Sequence, residues 1–212
     1  MQSHAPIIAL ALAAGSLLTT PALAQSEPTR GVFVAQIGDG SSATITQQNS
    51  DSLARVVQNG NDNQTDLAQT GSAPHRAQIA QDGDGNVATA RQDGDGSADL
   101  ALLQQGNGNS ALIFQRETAA AGATGAQIVQ SGNGNSISLT QDGSDNTATL
   151  NQVGDANSMS AAQLGSNNSL QWSQNGDGLA DLQITQQGGA NMQVTQSNTG
   201  GAQFLPPPGG GG

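Results

Sequence analysis

Apolar residues fall on alternate positions in short runs, and each run ends on a glutamine. Ile137 and Leu139 lead to Gln141, Ala148 and Leu150 to Gln152, Leu170 and Trp172 to Gln174, and Ala111 and Ile113 to Gln115. Asparagine opens these runs at Asn135, Asn146, Asn168 and Asn109, so the unit reads Asn-x-apolar-x-apolar-x-Gln. The intervening positions are mostly polar or small, as in Ser136, Ser138 and Thr140. Alternation over about seven residues predicts a half-buried β-strand whose Asn, apolar and Gln side chains share one face. The Gln-x-Gly-x-x segment that follows is rich in Gly, Asp and Asn, which tolerate positive φ, and predicts a turn.

The glutamines recur along nearly the whole chain: Gln36, Gln47, Gln58, Gln69, Gln81, Gln92, Gln104, Gln115, Gln130, Gln141, Gln152, Gln163, Gln174, Gln186 and Gln196. Eleven residues is the usual interval. Gln81, Gln104 and Gln186 come after twelve, yet Ala77 and Ile79, Leu100 and Leu102, and Leu182 and Ile184 keep their phase. The additional residue therefore belongs to the turn, because a one-residue slip would turn a strand inside out. The fifteen residues from Gln115 to Gln130 predict an enlarged loop over Arg116 to Ala123, and the ten from Gln186 to Gln196 a shortened turn. Fifteen strands follow, the first running through Val32 and Val34 to Gln36.

A longer period overlies the first. Arcs ending at Gln69, Gln92, Gln115, Gln141 and Gln163 keep the strict Gln-x-Gly-x-x-Asn spacing, whereas partner arcs place Ser52, His75, Ala98 or Thr124 where Asn would stand. The repeating unit is thus two strands, 22–23 residues, giving seven strand–turn–strand rungs and one further strand. The predicted fold is all-β: a flat, two-sheet β-solenoid of cross-β type, roughly 35 Å long at ~4.8 Å per rung. Stacking brings like side chains to the rung spacing. A carboxamide has donors and acceptors for a copy above and a copy below. The fifteen glutamines and Asn63, Asn86, Asn109, Asn135, Asn146, Asn157 and Asn168 are therefore the candidate structural ladder. The strands ending at Gln36 and Gln196 should leave unpaired edges.

Composition removes several function classes. No cysteine is present, so disulfides and thiolate metal sites are excluded. Lys is absent and the net charge is −11, which argues against nucleic acid and anionic membrane surfaces. Ile7 to Leu18 followed by Ala22-Leu23-Ala24 reads as a signal peptide over residues 1–24, with Gln25 as the mature N-terminus and no membrane insertion afterwards. A short segment, 25–29, precedes the solenoid at 30–196, and a Pro/Gly-rich tail occupies 197–212.

No catalytic residue, metal ligand set or cofactor is indicated. Asp82-Gly83-Asp84-Gly85-Asn86 and Asp93-Gly94-Asp95-Gly96-Ser97 look like calcium-loop fragments, but Val87 and Ala98 stand where such loops need Gly. They read instead as acidic turns that keep the exported chain soluble, with Asp142 and Asp145 in a turn of the same kind. His75 reads as a corner substitute for Asn, and Trp172 as core. Arg55, Arg76 and Arg91 point outward. Thr44 and Thr46 fall on one sheet and Thr147 and Thr149 on the other, so no regular ice-binding row forms.

The repeats resemble the curlin repeat of bacterial curli fibres, Ser-x5-Gln-x-Gly-x2-Asn-x-Ala-x3-Gln. Gln81-x-Gly83-x2-Asn86-x-Ala88-x3-Gln92 and Gln141-x-Gly143-x2-Asn146-x-Ala148-x3-Gln152 match its Gln-to-Gln portion, as does Gln104 to Gln115 with Gly106, Asn109 and Ala111. Ser52 supplies the leading Ser before Gln58, with Thr65 in the Ala position; Ala98 and Ala180 stand where Asn or Ser opens other strands. The resemblance implies a secreted, non-enzymatic subunit of an extracellular amyloid-type fibre, or fimbrium, for adhesion and biofilm matrix on a Gram-negative-type bacterium. Its implied partners are copies of itself, a companion curlin subunit and secretion or chaperone accessory proteins. The alternative is a monomeric secreted β-solenoid that binds a surface, glycan or mineral.

Overall fold

The computed structural model describes residues 29–198 and 203–205. The expected signal segment, 1–24, and most of the tail lie outside the described residues. The strands, in chain order, are β1 Gly31–Ile37, β2 Ser42–Gln47, β3 Leu53–Asn59, β4 Gln64–Gln69, β5 Arg76–Asp82, β6 Val87–Gly94, β7 Ser97–Gln105 and β8 Ser110–Glu117. They continue as β9 Ala123–Ser131, β10 Ser136–Ser144, β11 Thr147–Val153, β12 Ser158–Ser166, β13 Ser169–Asn175, β14 Leu182–Gln187, β15 Asn191–Ser197 and β16 Gln203–Leu205.

Successive strands alternate between two sheets. β1, β3, β5, β7, β9, β11, β13 and β15 run side by side in one, with β16 at its end; the even-numbered strands from β2 to β14 form the other. From β1 to β15 every pairing is parallel. Each glutamine sits opposite the glutamine of the next rung, including across the twelve-residue intervals, as in Gln58 with Gln81 and Gln81 with Gln104. The predicted β-solenoid of seven rungs and one further strand is the observed architecture.

Two predictions need correction. The described residues include a sixteenth strand: β16 pairs antiparallel with β15, Val194 opposite Phe204, so the edge of the strand ending at Gln196 is covered. The repeat could not reveal it, because β16 lies beyond the last repeat. The enlarged loop is also shorter than expected, since Arg116 and Glu117 extend β8 and Ala123 begins β9. Strands of the second sheet continue past their glutamines where a neighbour does the same, as Gly94, Glu117 and Gly143 do side by side.

The core is a thin layer between the sheets, made of Ala54, Val56, Leu67, Ile79, Leu102, Ile113, Ile128, Leu139, Leu150, Trp172 and their neighbours. Outward alternates stay solvated or half-buried, as the period of two requires, except Leu53 at the start of β3, which is buried. The stack is not equally closed at both ends. Val32 and Val34 occupy inward positions of β1 yet remain 48% and 46% exposed, whereas Ile184 and Val194 at the other end are 7% and 1% exposed.

Turn glycines differ in what they do. Gly132 has φ +115, and a Cβ there would overlap the carbonyl oxygen of Gly154 in the next rung. Gly134 has φ +64 with nothing near that position, and Ala156 adopts φ 55 at the equivalent point of the next turn. Gly132→Ala is expected to lower stability by at least about 2 kcal/mol through strain and overlap. Gly134→Asn should stay within about 1 kcal/mol of the parent, because Asn visits the left-handed region. Denaturant midpoints of the two variants test the difference.

Candidate functional site: amide ladders and open ends

The period-two strands bring the glutamines onto two lines, one per sheet. In the first, Gln36 Nε2 donates to Gln58 Oε1, and the chain of bonds continues through Gln81, Gln104, Gln130, Gln152 and Gln174 to Gln196. In the second, Gln47 donates to Gln69, and so on through Gln92, Gln115, Gln141 and Gln163 to Gln186. The donor–acceptor distances lie between 2.6 Å and 3.0 Å. Every bond points the same way, from the N-terminal rung toward the C-terminal one. The other amide N–H crosses between sheets: Gln58 donates to Ser42 O, Gln69 to Leu53 O and Gln141 to Gly125 O. One side chain thus links its own rung and the next.

The asparagines add backbone bonds to the side-chain-to-side-chain contacts expected of a ladder. Asn86 Oδ1 accepts the backbone N–H of Asn109 at 3.0 Å, and Asn86 Nδ2 donates to Gly106 O at 2.8 Å. Asn63, Asn109, Asn135 and Asn157 repeat this pattern on one corner line. Asn146 and Asn168 lie on the other corner line, where Asn146 Nδ2 donates to Gly165 O and Asn168 Oδ1 accepts from Ala190 N. The shorter side chain reaches backbone polar groups that the turn leaves unpaired. Direct amide–amide bonds accompany them: Asn86 donates to Asn63 and Asn109 to Asn86 at 3.1 Å, and Asn168 donates to Asn146 at 2.9 Å.

His75 occupies that second corner, fully buried. Its Nδ1 accepts the backbone N–H of Ala98 at 3.1 Å, so the tautomer is fixed and Nε2 donates to Thr70 O at 2.6 Å. The imidazole makes the same two kinds of bond as the asparagine it replaces. Trp172 lies in the core and donates its indole N–H to Gln196 Oε1 at 3.1 Å.

Two features were missed in the sequence. In the turns from the first sheet to the second, the residue after the Gly of Gln-x-Gly forms a further, exposed ladder: Asp84 Oδ1 accepts from Asn61 N and Asp155 Oδ1 from Asn133 N, each at 2.7 Å. Asn107, Asn133 and Asp177 take part in the same line. The recurring Gly-Asp or Gly-Asn pair was the available signal. Acidic turns are therefore also structural. Glu117 is the other: it is fully buried and accepts from Ala119 N, Thr124 Oγ1 and Asp145 N at 2.8–2.9 Å. It holds the loop closed from within, and no repeat rule anticipates it.

Charged groups outside the ladders pair locally. Arg91 meets Asp93 at 3.2 Å. Arg116 binds both carboxylate oxygens of Asp142 at 2.7 Å, so Asp142 belongs to a cross-rung ion pair in β10 and β8, not to a free turn. That bond raises the Arg116 pKa. Among the described residues no group of three or more His, Asp or Glu could hold a metal ion. No helix among them is long and apolar enough to cross a membrane.

Ladder and surface residues should respond differently to substitution. Gln141→Leu keeps most of the volume but leaves one of the two Gln115 Nε2 hydrogens and Gln163 Oε1 without a partner, a loss of about 1–3 kcal/mol. Asp142→Asn breaks an exposed pair and should leave the denaturant midpoint near that of the parent. Glu117→Gln would point amide hydrogens at backbone donors, and about 1–3 kcal/mol of stability should go with it. Urea titration of the three variants distinguishes buried amide and carboxylate roles from surface ones. Equal midpoints for Gln141→Leu and Asp142→Asn would contradict the ladder energetics.

The comparison with curated proteins found no match, and neither did the comparison with solved structures. The family model described as the curlin associated repeat matches residues 143–176, which contain β11, β12 and β13 with their flanking turns. Those strands carry Gln152, Gln163 and Gln174, consecutive members of the two ladders, and the same register extends through β1 to β15. The segment 143–176 is thus similar to the curlin associated repeat.

Proposed function

We propose that this chain is a secreted structural subunit that assembles with copies of itself into extracellular curli-like amyloid fibres serving adhesion and a biofilm matrix. The observation that carries the reading is the open N-terminal end. Among the described residues β1 and β2 each have a neighbour on one side only, and the inward Val32 and Val34 stay nearly half exposed. An unpaired strand edge above an unfinished core is a template for another strand. The curlin repeat match supports the same reading. A companion curlin subunit, accessory secretion factors and cleavage after Ala24 belong to this proposal. The alternative, a monomeric solenoid that binds a surface, is favoured by one observation: β16 covers the edge of β15.

Purified mature chain, without a tag, should form fibres whose diffraction shows a meridional spacing of ~4.7–4.8 Å and sheet packing of ~10 Å. Solutions that remain monomeric for days at high concentration and neutral pH would support the monomeric alternative instead.

Acid should accelerate assembly. The net charge of −11 opposes stacking of like subunits, and protonation relieves it. Individual groups act in both directions. Desolvation raises Asp99 against the pull of Arg76 and His75, so its ionised form weakens the fold and that penalty fades as pH falls through its raised pKa. Asp93 moves the other way: desolvation is outweighed by hydrogen bonds, chiefly from Arg91, and its contribution is lost in acid. These two oppose each other, which leaves general repulsion to set the trend. Fibre growth in low salt is expected to be faster near pH ~4 than near pH ~8, with salt narrowing the gap. Thioflavin kinetics at the two pH values measure it; slower growth in acid contradicts the repulsion argument.

A further inference from the structure

We infer that successive copies join with a half-turn between them, so that β1 of the incoming copy docks on β14 and its β2 takes the place of β16 on β15. This rests on the assembly reading above and specifies its junction. The first observation is the number of repeating strands. Fifteen strands alternate between two sheets, so β1 and β15 lie in the same sheet, and that sheet has one repeating strand more than the other. If the next copy stacked without rotation, its β1 would fall on β15. Its β2 would then stand about 9.6 Å from β14, two strand spacings, leaving two edges unpaired. Rotation by 180° about the long axis removes the gap. The strand after β15 then lies in the second sheet, on the open edge of β14, and alternation continues unbroken. Each copy advances the fibre by seven and a half rungs, about 36 Å.

The second observation is the direction of the ladders. Every laddered glutamine amide donates toward the C-terminal end, so Gln36 and Gln47 present Oε1 at the N-terminal end with no earlier rung among the described residues to fill it. At the other end Gln186 turns an N–H to Ala190 O at 3.2 Å, where interior glutamines reach the next glutamine. A donor end therefore faces an acceptor end only when copies stack head to tail. With Gln36 set over Gln186 and Gln47 over Gln196, Val34 covers Ile184, Val32 covers Leu182, Ile45 covers Val194 and Ala43 covers Met192. The exposed inward residues of β1 thereby meet the apolar layer they lack.

The third observation concerns β16. It pairs antiparallel with β15 over three residues, Gln203 to Leu205. Interior parallel neighbours pair over six or more, as β2 does with β4 over six. An incoming β2 in parallel register offers the longer ladder and the glutamine bond that β16 lacks. β16 is thus a displaceable cover, which slows addition at that end without preventing it.

Cysteine cross-linking tests the junction, because the chain has no cysteine of its own. Ala35, Thr185 and Thr195 are exposed and each precedes a ladder glutamine, so substitution leaves the inward face intact. Fibres of the A35C/T185C chain, treated with a short thiol-reactive cross-linker, should give covalent oligomers at least tenfold more abundant than fibres of A35C/T195C. The two cysteines lie at opposite ends of one molecule, so any bridge is intermolecular. Bridging in A35C/T195C instead shows an unrotated junction and overturns the inference while assembly stands. Equal bridging, or none in well-formed fibres, also overturns it. Failure of either chain and of the parent to form fibres removes the assembly reading and the junction together. A chain ending at Asn198 should elongate parent seeds severalfold faster; unchanged or slower growth rules out β16 as a cover.

Discussion

The glutamine-to-glutamine hydrogen bond is the interaction on which this architecture depends. A two-sheet solenoid with a core one side chain deep has to place polar groups at its corners. An unpaired amide there would cost about 1–3 kcal/mol. Stacking each carboxamide on its copy satisfies donor and acceptor together, provided the copies stay one strand spacing apart. That condition fixes the register of every strand pair. It also explains why twelve-residue intervals insert their additional residue in a turn and never between an apolar pair and its glutamine.

Register in turn restricts everything attached to the ladder. Turn glycines such as Gly132 pack against the carbonyl of the next turn, so the turns stack as tightly as the strands. Corner asparagines use this closeness to reach backbone groups of the adjacent rung. Substitution is tolerated where the bonding role survives. His75 and Ser52 replace asparagine because Nδ1 and Oγ can each accept the same backbone N–H. Ala98 cannot, and Gln92 Nε2 donates to its carbonyl at 2.9 Å.

Strand positions, sheet alternation and inward faces were legible because period-two patterning and the glutamine interval report on the same geometry. Leu139, Leu150 and Trp172 are buried where the alternation puts them. The misses arise where structure is not repeated. β16 lies outside the repeat, and Glu117 is a single residue whose partners Ala119, Thr124 and Asp145 come from the one irregular loop and the next rung. The backbone bonds of the asparagines were missed for another reason. Composition shows that a carboxamide is present, whereas its short side chain also brings it within reach of the turn backbone.

A stack of like rungs has no natural length, because an interior rung offers the same edges as a terminal one. Whatever ends growth must therefore come from outside the repeat. At the N-terminal end nothing among the described residues does this, and Val32 and Val34 stay open. At the C-terminal end β16 reverses strand direction, and an antiparallel partner cannot carry the parallel ladder onward. The two ends are consequently unequal in chemistry as well as in cover: one presents amide acceptors beside exposed valines, the other amide donors beside a borrowed strand. Such a molecule is polar along its stacking axis, and its odd number of repeating strands places β1 and β15 in the same sheet.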